Sequence, residues 1–128
     1  MKTRTVTTVL AAPKAEVFDY LSKIENLPRW ATEFARELKY EHGKAKVVNR
    51  RGEFYFSIDA DSKTGVIDMY AGPREDELAL FPTRVGLPGA QSAYNFTMFQ
   101  APGTPDELFE SQYQSLVREL ENIRREFS

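Results

Sequence analysis

Residues 104–127 read TPDELFESQYQSLVRELENIRREF, and this stretch decides the fold. Thr104-Pro105-Asp106-Glu107 supplies an N-cap threonine, a proline for the first helical position and a glutamate three residues after the cap. That pattern opens a helix. Phe109, Tyr113, Leu116, Leu120, Ile123 and Phe127 recur at steps of four and three, so they share one helical face, with Val117 at its edge. Glu110, Gln114, Arg118, Glu121 and Arg125 take the opposite face. A helix of this length spans about 34 Å. One long apolar stripe requires a large apolar surface to lie on, and the middle of the chain supplies it as strands.

Those strands are marked by short turn signals. Arg36 to Glu41 and Lys44 to Asn49 flank His42-Gly43. Glu53 to Ala60 follows Arg51-Gly52, Val66 to Tyr70 follows a turn ending at Gly65, and Glu77 to Val85 follows Ala71-Gly72-Pro73. Ala90 to Phe99 follows Gly86-Leu87-Pro88-Gly89. Successive short links predict an antiparallel meander. Ahead of it, the β-branched run from Thr3 to Leu10 reads as a further strand. A helix then starts at Pro13, with Val17, Phe18 and Leu21 apolar, and a second helical stretch from Ser22 to Phe34 is broken by Pro28. Strand, two short helices, six strands and a long helix make an α+β domain.

Alternation sets the facing. Phe54, Phe56 and Ile58 share one face, and Ile67 and Met69 share another that joins it when Ile58 pairs with Ile67 and Phe56 with Met69. Asp59, Asp68, Tyr55 and Tyr70 then lie outside. In the last strand Tyr94, Phe96 and Met98 oppose Asn95 and Thr97, and Phe81 and Ala79 join the aromatic set. Parity carried through from Met69 conflicts with this, and a bulge near Gly72-Pro73 reconciles the two. The aromatic face is expected inside.

Composition narrows function. The chain has 128 residues, enough for one domain, and a formal charge of −2 with both signs interspersed. That argues against a nucleic-acid partner or a polybasic membrane surface. It has no cysteine and one histidine, His42 at a hairpin. A nucleophile triad or a zinc site therefore has little material, and neither catalytic residues, metal nor cofactor is expected. No apolar run is long enough to span a bilayer, and a cytoplasmic location is expected.

The segment VLAAPKAEVFDYLSKIENLPRW, Val9 to Trp30, resembles the opening of the START-like, polyketide cyclase/dehydratase and lipid-transport superfamily. GVIDM at 65–69, FPTRV at 81–85 and the closing LVRELENIRREF at 116–127 fit the same family. The resemblance implies a helix-grip fold, in which a curved antiparallel sheet of about seven strands wraps the C-terminal helix around a cavity for an apolar or aromatic molecule. It also implies that Pro13 to Phe34 forms part of the entrance. Phe56, Ile58, Met69, Phe96, Phe109, Tyr113 and Leu116 are then expected to line the space, with Trp30 and Phe34 at its mouth. Tyr94 and Tyr113 carry phenols that need a partner when buried, either protein or a ligand oxygen. Arg84 matches the family's arginine-valine step, with a surface ion pair as its ordinary role.

Three functions fit. The first is binding or carriage of a small hydrophobic molecule. The second is a cyclase or dehydratase in which a Tyr, Asp or Arg polarises a carbonyl, signalled by an ionisable residue on the inner face. The third is an interaction module, with Tyr55 and Tyr70 meeting a partner or a second copy of the chain.

Overall fold

The computed structural model describes residues 1–128. Thr3–Leu10 is β1, Lys14–Leu21 is α1, a 3₁₀ turn covers Ile24–Asn26, and Leu27–Trp30 is α2. Glu37–Glu41, Lys44–Asn49, Gly52–Asp61, Val66–Arg74, Glu77–Gly86 and Ser92–Phe99 are β2 to β7, and Asp106–Glu126 is α3. The seven strands form one antiparallel sheet in the order β1-β7-β6-β5-β4-β3-β2. This is the expected α+β helix grip, with the sheet curved towards α3.

α3 begins one residue later than the threonine cap implies. Pro105 occupies the cap position in an extended conformation, with no side-chain cap bond, and its carbonyl accepts the Phe109 N–H at 3.0 Å. Asp106 and Glu107 in the first turn and Arg124 and Arg125 in the last complement the helix dipole. Pro28 starts α2 instead of breaking a helix, because a proline in a first helical turn forfeits no intrahelical hydrogen bond.

The sheet keeps the expected faces with a different register. Ile58 pairs with Met69 and Phe56 with Ala71, two residues from the expected partners. The link is tighter than the sequence suggested. Asp61 and Val66 already pair, Asp61 Oδ1 accepts the Lys63 N–H at 2.9 Å, and Asp61 O accepts the Gly65 N–H at 2.9 Å. Gly65 has φ +81°, and a Cβ there would lie 2.1 Å from the Val85 carbonyl oxygen. A shift of two preserves facing, so the apolar set stays together.

β5 runs through Gly72-Pro73, which the sequence reading took as a link, and turns at Glu75-Asp76. The register shifts between Ala71 and Arg74. This irregularity settles the parity conflict and turns Phe81, opposite Met69, inward. A Cβ at Gly72 would sit 1.9 Å from the Glu77 carbonyl oxygen, so the close crossing requires glycine. Tyr94, Phe96 and Met98 are buried as expected, while Asn95 is exposed.

Coverage of the concave face is uneven. Leu10, Val17, Leu21, Val85 and Tyr94 are fully or almost fully buried where α1 crosses β6 and β7. α3 packs chiefly against β1 and α2. At β4 and β6 the inward positions Phe54, Ile58 and Phe81 are only partly covered, and Ala60 and Ala79 are exposed.

Candidate functional site

The ten expected lining residues meet in one apolar cluster. Trp30, Phe56, Met69, Tyr94, Phe96, Phe109 and Leu116 are buried, and Phe34, Ile58 and Tyr113 pack against them partly covered. Strand alternation delivers the sheet residues, and the spacing along α3 delivers Phe109, Tyr113 and Leu116. Aromatic rings meet one another along the sheet side of the cluster. Phe34 lies 5.8 Å from Phe56 between ring centroids, Phe81 lies 6.0 Å from Phe96, and Tyr94 meets Phe96 edge-on at 6.5 Å. Tyr113 is covered on one side by the Arg4 guanidinium, 3.7 Å from its ring centroid, and Arg4 also bonds Glu110 at 2.9 Å.

Two surface depressions lie away from this cluster. One, about 470 Å³, is lined by Arg29, Thr32, Asn122, Arg125 and Glu126. The other, about 360 Å³, is lined by Met1 and residues 100–104. Neither contains an expected lining residue.

Polar groups inside the grip are few. Tyr94 Oη and Ser92 Oγ are both buried with no hydrogen-bond partner. They lie two residues apart on β7 and so face the same way. Burial pushes the Tyr94 phenol well above its ordinary range, and Thr83 nearby opposes that only weakly. Thr83 Oγ1 itself donates to the Ile67 carbonyl at 2.6 Å. A buried hydroxyl without a partner costs about 1–3 kcal/mol.

One buried group escaped the sequence reading. Glu119 of α3 is 5% exposed. Its Oε2 accepts the backbone N–H groups of Glu33 at 3.1 Å and Phe34 at 2.9 Å. Burial raises its carboxyl to about 7, against the pull of those two hydrogen bonds. Beside it, Glu33 is clamped by Arg118 at 2.7 and 2.8 Å and receives the Ser115 hydroxyl at 2.6 Å. The Arg118 bonds hold the Glu33 carboxyl down at about 2. The position of Glu119, one residue before Leu120 on the apolar stripe, was the available signal. It is an ionisable group on the inner side of α3, but it faces the 31–36 loop backbone.

The other singled-out residues stay outside. His42 is exposed with φ +52° in the β2–β3 hairpin. Asp59 and Asp68 are cross-strand neighbours on the outer face. Arg84 has no carboxylate partner and instead donates from Nε to the Thr64 carbonyl at 3.1 Å, correcting the expected ion pair. Tyr55 and Tyr70 are partly covered rather than fully open, with Lys46 Nζ 4.6 Å from the Tyr55 ring centroid.

No family model matches the sequence, and no curated protein matches it. The fold does match solved structures. An uncharacterised protein from Bacillus thuringiensis aligns with TM-score 0.76 and 14% identity, covering 98% of each chain. The Zhui aromatase/cyclase from Streptomyces sp. R1128 aligns with TM-score 0.71 and 18% identity, over 98% of this chain and 92% of that one. Aha1 from Colwellia psychrerythraea, solved as a dimer in solution, aligns with TM-score 0.72 and 12% identity, over 99% and 96%. The chain therefore shares the helix-grip fold of these proteins. No helix is long and apolar enough to cross a membrane.

Proposed function

We propose that the chain acts as one unit that binds a small apolar or aromatic molecule on the concave face between sheet and α3, as a cytoplasmic carrier or sequestering protein. The observation that carries this reading is the uneven coverage. Phe34, Phe54, Ile58 and Phe81 belong to the core yet stay partly exposed, with Ala60 and Ala79 open beside them. Removing apolar surface from water is worth about 25 cal/mol per Å², so a guest lying there gains affinity at a site the fold covers only in part. Trp30, Phe34, Phe56, Ile58, Met69, Phe96, Phe109 and Leu116 form its walls, and the phenols of Tyr94 and Tyr113 orient a polar group on it. The guest enters by displacing rings that now touch one another, which favours a flat molecule able to replace those contacts.

Native mass spectrometry of protein purified from its own host tests the reading. A reproducible added mass of small-molecule size is expected. Protein that carries none, and that a neutral probe such as N-phenylnaphthylamine does not bind saturably, counts against it.

A cyclase or dehydratase is the second reading. It is favoured by the unpartnered Tyr94 hydroxyl, which has the right chemistry to donate to a substrate carbonyl. Turnover lost on Tyr94→Phe with binding retained would select it. Association of two copies through Tyr55, Tyr70, Leu78 and Leu80 is the alternative partner reading, favoured by the 39% and 40% exposure of the two leucines. Sedimentation of the wild type against Leu80→Glu tests it.

A further inference from the structure

Residues 31–36 bridge α3 and β3, and each anchorage is visible. From α3, Glu119 takes the Glu33 and Phe34 N–H groups, Arg118 clamps the Glu33 side chain, and Asn122 Nδ2 donates to the Trp30 carbonyl at 3.0 Å. From β3, Asn49 Nδ2 donates to the Phe34 carbonyl at 2.8 Å, and the Arg36 N–H bonds the Val48 carbonyl at 3.1 Å. Between these anchors the Ala35 N–H closes on the Ala31 carbonyl at 2.7 Å, making a single helical turn. A lone turn leaves its interior N–H groups without helical partners. Here two of the three, those of Glu33 and Phe34, end on one carboxylate oxygen, Glu119 Oε2. The Phe34 side chain extends from this turn onto Phe56.

A buried carboxylate is an expensive way to satisfy two amides. It has one property that separate neutral acceptors lack: losing one charge weakens both bonds together, since bonds to an ionised acceptor are roughly twice as strong as neutral ones. We propose that residues 31–36 are the gate to the concave face, and that Glu119 is the positioning residue that latches the gate, and with it Phe34, shut. The inference rests on the binding reading above and adds how a guest gets in.

The gate lifts while Glu119 itself stays in its dry seam, so opening forfeits the two hydrogen bonds that hold its carboxyl down and protonation is the natural release; global unfolding hydrates the same group and responds to acid in the opposite sense. The charged groups acting on Glu119 are Glu33 from the gate itself, which favours its protonation, and Arg118 from α3, which opposes it, while Arg36 acts on Glu33. Ser115 and Asn122 are the neutral polar groups of α3 along the same seam. With the Glu119 carboxyl at about 7, the latch is charged above neutrality and weakened below it.

The test is stopped-flow mixing of the full chain with N-phenylnaphthylamine, read through Trp30 emission, alongside amide hydrogen exchange. In Glu119→Gln the Glu33 and Phe34 amides should exchange faster, on the order of tenfold, as expected for losing a charge-assisted bond. Probe entry and exit should both accelerate while the equilibrium affinity stays within about twofold, as gating requires. Wild type at pH 6 should resemble Glu119→Gln at pH 8, and the variant should show no such pH dependence. Glu119→Asp, which keeps the charge, should restore slow entry in part. If Glu119→Ala does not fold, the glutamine variant and the wild-type pH profile still decide the matter. Freed amides with unchanged entry rates would overturn the gate while leaving the binding reading intact. A wild type that binds no probe while folded overturns both.

Discussion

The two halves of the concave face are built from similar residues and treated differently. Where α1 crosses β6 and β7, Leu10, Val17, Val85 and Tyr94 are completely buried. At β4 and the neighbouring part of β6, Ile58 and Phe81 point to the same side of the same sheet and remain partly exposed. The difference lies in the helices above. α3 leans chiefly on β1 and α2 and α1 on β6 and β7, while β4 packs chiefly against its neighbouring strands. A side chain's hydrophobicity thus does not say whether it is core or wall; the element above it does. The closed half supplies stability, and the open half supplies the way into the proposed site, whose inner end reaches Tyr94 where the two halves meet at Phe96.

This contrast predicts unequal mutational costs. Leu120→Ala, fully buried on the apolar stripe of α3, should cost about 2–5 kcal/mol by urea denaturation. Ile58→Ala should cost about 1 kcal/mol or less, because a partly exposed side chain forfeits only part of its transfer energy. Equal costs would erase the distinction between the halves.

The next largest effect is that of pH on Glu119. Its folded carboxyl titrates at about 7, above the ordinary 4.5. The stability it contributes is therefore fully present below about pH 4.5 and lost as pH rises through 7, a difference of up to about 3 kcal/mol. Glu33, held at about 2, acts in the opposite sense, with stability lost only as pH falls below 4.5. Thermal melts between pH 5 and 8 should show falling stability in wild type and a flatter profile in Glu119→Gln. A wild type that is equally stable across that range would contradict the buried charge.

Tyr94→Phe removes a hydroxyl with no partner from the closed half, and should raise stability by about 1 kcal/mol. A loss of stability would mean the hydroxyl has a bonding partner after all. The smallest effect belongs to guests. Tyr113→Phe should leave apolar probes unaffected and weaken those bearing a hydroxyl or carbonyl by about 0.5–1.5 kcal/mol, measured by titration calorimetry.

The sequence made the fold legible because its strongest signals were periodic. The α3 stripe from Phe109 to Ile123 and the alternation of Phe54, Phe56 and Ile58 survive small errors of register, as the two-residue shift at β4–β5 shows. The Gly72-Pro73 irregularity was legible for the same reason, since two parity arguments met there and disagreed. The lining residues came together because they are the apolar face. The place of Glu119 beside Leu120 signalled burial, but its role was illegible, since periodicity has no rule for a charge whose partners are backbone amides of a distant turn. The same gap left the partner of Tyr94 open and hid Ser92, because a missing partner is a property of the assembled interior.

The most direct measurement is an NMR titration of the isotope-labelled chain with N-phenylnaphthylamine. The account predicts saturable one-to-one binding, with the largest shifts at Phe34, Ile58, Met69 and Phe81 and little change at Leu10, Val17 and Val85. Shifts concentrated in the closed half, or a folded protein whose spectrum does not change at any probe concentration, would contradict it.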